Sequence, residues 1–120
     1  DEIGEAISDA YLNAESNQLQ NCRFFHSDAK DISIENLLET FGKPNVVIVD
    51  PPRAGLHERV IEHLKQLKAE TLVYVSCNPA TQARDLALLK EIYEVIKIKP
   101  VDLFPHTNHI ESVALLSLHK

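Results

Sequence analysis

The chain has 120 residues, 44% of them hydrophobic and 25% charged, the balance of one globular domain and not of a disordered or collagenous chain. No apolar run approaches the roughly 20 residues of a membrane-spanning helix, and the acidic start DEIGEAISDA is unlike the basic opening of a secretory signal. Residues 1–42 carry nine acids and two bases, and residues 43–120 carry nine acids and ten, so the net charge of −6 gives no overall basic surface for phosphates. Any role with nucleic acid therefore needs a local argument or a further domain. The two cysteines, Cys22 and Cys77, are too few for a disulfide framework, which predicts a reducing, cytoplasmic setting. Three glycines leave no Gly-rich phosphate loop.

In chain order, Ile3, Ala6, Ile7, Ala10, Tyr11 and Ala14 recur at helical spacing, which predicts a helix from about Ile3 to Ser16. After the polar break Asn17–Asn21, CRFFH at Cys22–His26 reads as a short strand with Cys22 in the core. Asp28–Thr40 reads as a loop and a short helix, with Ile34, Leu37 and Leu38 inward and Gly42-Lys43-Pro44 ending it. The β-branched run Val46–Val49 predicts a strand buried on both faces of a parallel sheet, stopped by Pro51 and Pro52. His57–Lys68 reads as a helix that turns Val60, Ile61, Leu64 and Leu67 inward, and Thr71–Ser76 as a second buried strand. Asn78 is expected to cap a helix that has Pro79 at its first position and runs to about Tyr93, burying Ala83, Leu86, Leu89 and part of Leu88. Arg84 and Asp85 read as surface residues of that helix. Tyr93–Phe104 and Ile110–Leu118 read as two strands. Their connection, Pro105-His106-Thr107-Asn108, is too short for a crossover, so the pair should be antiparallel.

The order α-β-α-β-α-β-α-β-β predicts an α/β domain with a mostly parallel sheet and an antiparallel final strand. Such a sheet usually opens with a strand, so the chain reads as N-terminally truncated. Ligands of open α/β sheets sit at the carboxyl ends of the strands, where Asp28, Asp50–Arg53 and Ser76–Pro79 fall. Cys77, between a strand and a helix N-terminus, is placed for a stabilised thiolate and nucleophilic attack, or is a small buried hydrophobe. Asp50 can accept from an amino or hydroxyl group and Arg53 can hold a phosphate or carboxylate, or the two close a Pro-stiffened turn. Glu111 heads an apolar strand as a solvent-edge residue or as a general base. Asp28 can equally be a turn cap. His106 and His109 have no third ligand at a suitable spacing, so no metal is expected.

Three segments in order, Asp50-Pro51-Pro52-Arg53-Ala54-Gly55-Leu56, Val73-Tyr74-Val75-Ser76-Cys77-Asn78-Pro79-Ala80-Thr81, and Asp102-Leu103-Phe104-Pro105-His106-Thr107 with His109-Ile110-Glu111, resemble the C-terminal catalytic part of the RNA 5-methyluridine (uracil-C5) methyltransferases. The resemblance implies a Rossmann-like class I S-adenosylmethionine-dependent methyltransferase sheet across residues 1–120. It implies an RNA substrate, ribosomal taken ahead of transfer RNA. It makes Cys77 the nucleophile and Glu111 the base. Asp50, Asp28 and Asp1 become cofactor-site residues, and Arg53, Asn78, Pro79, His106 and Thr107 substrate-site residues. The Gly-rich first strand, an RNA-binding barrel and an iron–sulfur cysteine cluster are not in this sequence, so the 120 residues are expected to be inactive alone and to dimerise through an exposed sheet edge. The competing readings are a methyltransferase acting on an exocyclic amine, and a Rossmann-like binding module with a structural cysteine.

Overall fold

In the computed structural model, residues 1–107 and 109–120 are described; Asn108, expected in the last connection, lies outside them. They divide into two units, 1–33 and 34–120.

In the first unit, helix α1 (Gly4–Ser16) starts after Ile3, whose extended backbone marks the N-terminus. Its apolar stripe is only partly covered: Ala14 is buried, whereas Ile3 and Tyr11 are exposed. The Tyr11 ring meets Phe24 edge-on at 4.9 Å, and its hydroxyl donates to the Phe24 carbonyl at 3.2 Å. Cys22–His26, expected as a strand, takes no part in a sheet among the described residues, and Cys22 is half-buried. Strand propensity needs a neighbouring ladder to act on. Here the backbone bonds go to the chain start instead: Asp1 N donates to Phe25 O at 3.0 Å and Ser27 N to Asp1 O at 2.8 Å. A single 3-10 turn, Ala29–Asp31, follows.

The second unit runs α2 (Ile34–Phe41), β1 (Val46–Val49), α3 (Glu58–Leu67), β2 (Thr71–Ser76), α4 (Pro79–Leu89), β3 (Tyr93–Val101) and β4 (Glu111–Leu118). The sheet order is β1-β2-β4-β3, with β1 parallel to β2 and β4 antiparallel to both its neighbours. Strands β1, β2 and β3 therefore point one way and β4 the other, as the short last connection required. The helical crossovers α3 and α4 hold β1, β2 and β3 in the same direction, and β4 fills the slot between β2 and β3.

On one face of β2, Leu72, Tyr74 and Ser76 are buried and alternate with half-buried Thr71, Val73 and Val75. Their partners in β4, Leu116, Ala114 and Ser112, are buried too. Ile61 and Leu64 of α3, Leu86 and Leu89 of α4, and Tyr93 complete the core. Each fully buried large apolar side chain stabilises by about 1.5–3 kcal/mol. α3 is bounded by His57, whose ring accepts from Arg59 N at 3.1 Å, and by Lys68 in the left-handed conformation.

Three further expectations are corrected. β1 is an edge strand and is not buried on both faces: Val46 is 53% and Ile48 68% exposed, while Val47 and Val49 pack on the core. α4 stops at Leu89, because Tyr93 belongs to β3; Ala83 and Leu88 are exposed. β3 ends at Val101 and β4 begins at Glu111, each shorter than the sequence pattern.

Candidate active site

Reversal of β4 brings the carboxyl ends of β1 and β2 and the amino end of β4 to one end of the sheet. The register pairs Ser76 with Ser112. Cys77 directly follows Ser76 and Glu111 directly precedes Ser112, so both adjoin this last pair. Both are half-buried. The two residues with the best claim to chemistry thus come from adjacent strand ends.

Short polar bonds hold the Cys77 turn. Ser76 Oγ accepts from Asn78 N at 2.9 Å and donates to Asn78 O at 2.9 Å. Asn78 Oδ1 caps α4 by accepting from Ala80 N at 3.2 Å, with Pro79 at the first helical position as the sequence indicated. The other end of the Asn78 amide donates to Arg53 O at 3.1 Å, and Thr81 Oγ1 donates to the same carbonyl at 2.9 Å. Asn78 therefore spends its side chain joining the turn after β1 to the turn after β2. Asp50 is exposed at the end of β1. Gly55 N closes the turn onto Pro52 O at 2.9 Å.

The last connection reaches the same end. Thr107 donates to Phe104 O through both N and Oγ1 at 2.9 Å, and Thr107 Oγ1 accepts from His109 N at 3.2 Å. His109 Nδ1 lies 3.3 Å from Arg53 Nη1. His106 is exposed beside this turn. Asp1 and Asp28 belong to the 1–33 unit. There Asp1 Oδ1 accepts from Ile3 N at 2.8 Å, and Asp28 Oδ1 caps the 3-10 turn by accepting from Lys30 N at 3.1 Å. Among the described residues, no three of His, Cys, Asp and Glu gather to hold a metal.

Sequence reasoning missed the support beneath the site. Asp85, read as a surface residue, is 1% exposed. Its Oδ2 accepts from Tyr74 OH at 2.6 Å and Leu56 N at 2.8 Å, and its Oδ1 from Arg84 Nε at 3.1 Å and Nη2 at 3.0 Å. Burial first, and the Asp85 carboxylate second, push the Tyr74 hydroxyl far above the ordinary tyrosine range. Arg84 Nη2 also donates to Ala54 O at 2.8 Å, so it fixes the turn instead of sitting idle on the surface. Gly55, at φ +82°, passes so close that an added Cβ would fall 2.6 Å from both Arg84 Nη2 and Asp85 Oδ2. Gln82, 3% exposed, donates from Nε2 to Tyr74 O and Ser112 O, each at 3.1 Å. The available signal was the spacing of Gln82, Asp85, Leu86 and Leu89, a helical inward stripe whose first half is polar.

This arrangement has solved counterparts. The Pyrococcus abyssi tRNA (uracil-54, C5)-methyltransferase, crystallised with S-adenosyl-L-homocysteine, is 41% identical and superposes with a TM-score of 0.81 over 97% of this chain and 27% of its own. An N-methyltransferase from Bradyrhizobium japonicum, also with S-adenosyl-L-homocysteine, shares the fold at a TM-score of 0.72 and 14% identity, over 100% of this chain and 65% of its own. The fold is that of the class I S-adenosylmethionine-dependent methyltransferases. A curated RNA methyltransferase of Bacteroides thetaiotaomicron, itself uncharacterised, is 49% identical over 97% of this chain. The chain spans about a quarter of that relative's length, 26%. Residues 4–119 match the model of the tRNA (uracil-5-)-methyltransferases. With that match over nearly its whole length, the chain belongs to the tRNA (uracil-5-)-methyltransferase family.

Proposed function

We propose that this chain supplies the nucleophile and the base of an enzyme that methylates carbon 5 of a uridine in RNA with S-adenosylmethionine. The observation that carries this reading is that Cys77 and Glu111 adjoin the two members of the last β2–β4 pair, Ser76 and Ser112. Asp50, exposed at the carboxyl end of β1, suits a ligand with hydroxyl, amino and sulfonium groups, because a carboxylate accepts from the first two and attracts the third. Asp28 and Asp1 of the 1–33 unit are carboxylates with the same accepting chemistry. When bound, S-adenosylmethionine supplies an electrophilic methyl group.

The residue types follow from the reaction. Carbon 5 of uracil is a poor nucleophile. Addition of the Cys77 thiolate to carbon 6 places the displaced electron pair on the enolate, and carbon 5 then takes the methyl group as the methyl–sulfur bond breaks and its electron pair stays on the departing thioether sulfur. Glu111 removes the carbon 5 proton, the ring double bond re-forms, and Cys77 departs with its sulfur electrons. Arg53, whose Nη1 lies 3.3 Å from His109 Nδ1, has the chemistry to hold a backbone phosphate. His106, Thr107 and Pro79 are assigned to the RNA side of the site, and Asn78 to holding the Arg53 carbonyl. The uridine must leave its stack to reach the thiol. The tRNA enzyme at 41% identity weighs for transfer RNA over the ribosomal substrate preferred from sequence. The 120 residues alone are expected to show no turnover.

The test uses the complete protein that carries this chain. It is incubated with S-adenosylmethionine and 5-fluorouridine-substituted transfer and ribosomal RNA, then run on a denaturing gel. Fluorine cannot leave as a proton, so a covalent complex mapped to Cys77 is the expected result. A folded, cofactor-binding protein that gives no complex with either RNA makes Cys77 a structural residue and the amine-methylating or binding-module reading correct.

A further inference from the structure

We propose that Gln82 is a positioning residue that sets the separation between Cys77 and Glu111. The role rests on the reading of those two residues as nucleophile and base. The side-chain amide nitrogen of Gln82 has two hydrogens. One goes to Tyr74 O on β2 and the other to Ser112 O on β4, each at 3.1 Å. Tyr74 lies just upstream of Cys77, and Ser112 adjoins Glu111. The amide is therefore a two-armed brace across the strand pair, at the end where both reactive residues emerge.

The surroundings are shaped for this brace. The face that α4 covers carries Leu72, Tyr74 and Leu116 deeper in the sheet, but Ser76 and Ser112 at the site end. A pair of small side chains leaves room there for an amide to approach the backbone. Ser76 in turn holds both N and O of Asn78. One side chain thus governs the strand spacing, and the strand spacing governs the turn that presents the thiol.

The chemistry is sensitive to that spacing. The nucleophile acts at carbon 6 and the base at carbon 5, adjacent atoms of one ring. Displacement of one group relative to the other by a fraction of an ångström slows every turnover while leaving binding intact. Gln82 is buried and spends its amide on two backbone carbonyls, so its loss should appear in kcat and not in KM.

The experiment compares wild type, Gln82→Met and Gln82→Glu in the complete protein, with the 5-fluorouridine complex of the wild type as the control. Methionine keeps the length and removes both donors. The expected result is a kcat lower by roughly 10- to 100-fold, with KM for RNA and for S-adenosylmethionine unchanged. Glutamate donates only when protonated, and then a single hydrogen that restores one of the two arms; burial favours that form. The activity of Gln82→Glu relative to wild type is therefore expected to rise as pH is lowered from about 8 to about 6. This second variant decides the matter if the first does not fold. A wild-type kcat in Gln82→Met, equal losses in kcat and cofactor affinity, or a Gln82→Glu ratio that ignores pH would each overturn the role. A normal wild-type complex beside an unchanged Gln82→Met removes only Gln82 from the mechanism, whereas a missing wild-type complex removes the nucleophile–base reading and this role with it.

Discussion

Asp85 shows what a single buried carboxylate does for this fold. It gathers a tyrosine hydroxyl, a backbone amide and two guanidinium hydrogens. Replacement by alanine leaves the buried Tyr74 OH and the half-buried Leu56 N without their acceptor, a loss of about 3 kcal/mol. A shift of the urea midpoint measures it. Arg84 is half exposed, so its share of that loss is the smaller one. Tyr74 gives a pH dependence with a definite sign. Its folded value lies above the ordinary 10.0, so the folded state keeps the proton longer than the unfolded chain. That stability is fully present below pH 10 and is lost as pH rises from 10 toward the folded value. Tyr93, raised by burial, acts in the same direction. Thermal scans from neutral to alkaline pH should show the melting temperature falling above pH 10, with a shallower fall in Tyr74→Phe. None of this was legible near Asp85. Its partners Leu56 and Tyr74 are 29 and 11 residues away, and a charged helix residue without visible partners reads as solvated.

At the scale of elements, the start of α4 was the most legible part of the chain. Asn78 and Pro79 announce a cap in residue types whose chemistry is local. Asn78→Ala is expected to cost about 1 kcal/mol in chemical denaturation through the lost cap. It should also weaken RNA binding, because Arg53 loses one of the two donors that hold its carbonyl. The strand ends beside Cys77 and Glu111 were legible for a related reason. The apolar runs place a strand end at Ser76 and a strand start at Ile110, one residue before the observed start, whereas the pairing of β4 with β2 is set by topology. What failed were judgements that depend on neighbours. Val46–Val49 is a strand, but its burial is set by what lies beside it. In the 34–120 unit, Val46 and Ile48 face outward. Cys22–His26 has the composition of a strand, yet hydrogen-bonded pairing makes one, and its bonds go to Asp1.

On the scale of the whole molecule, the two edges of the sheet in the 34–120 unit are unlike. The β3 edge is interrupted by a bulge between Val95 and Lys97 and exposes Lys97, Lys99 and Pro100, features that blunt strand addition. The β1 edge carries only Val46-Val47-Ile48-Val49. The 120-residue chain is therefore expected to self-associate through β1, and Ile48→Lys to shift sedimentation toward monomer; an unchanged distribution would assign the association elsewhere. The placing of β4 between β2 and β3 has a consequence in time. Strands β2 and β3 precede it in the sequence but share no ladder, so during synthesis they wait apart until Glu111–Leu118 arrives. At roughly 5–20 residues per second, Cys77 is made seconds before Glu111. A nascent chain thus holds the two halves of the proposed site apart in time, and the sheet of the 34–120 unit closes only when Glu111–Leu118 takes its place.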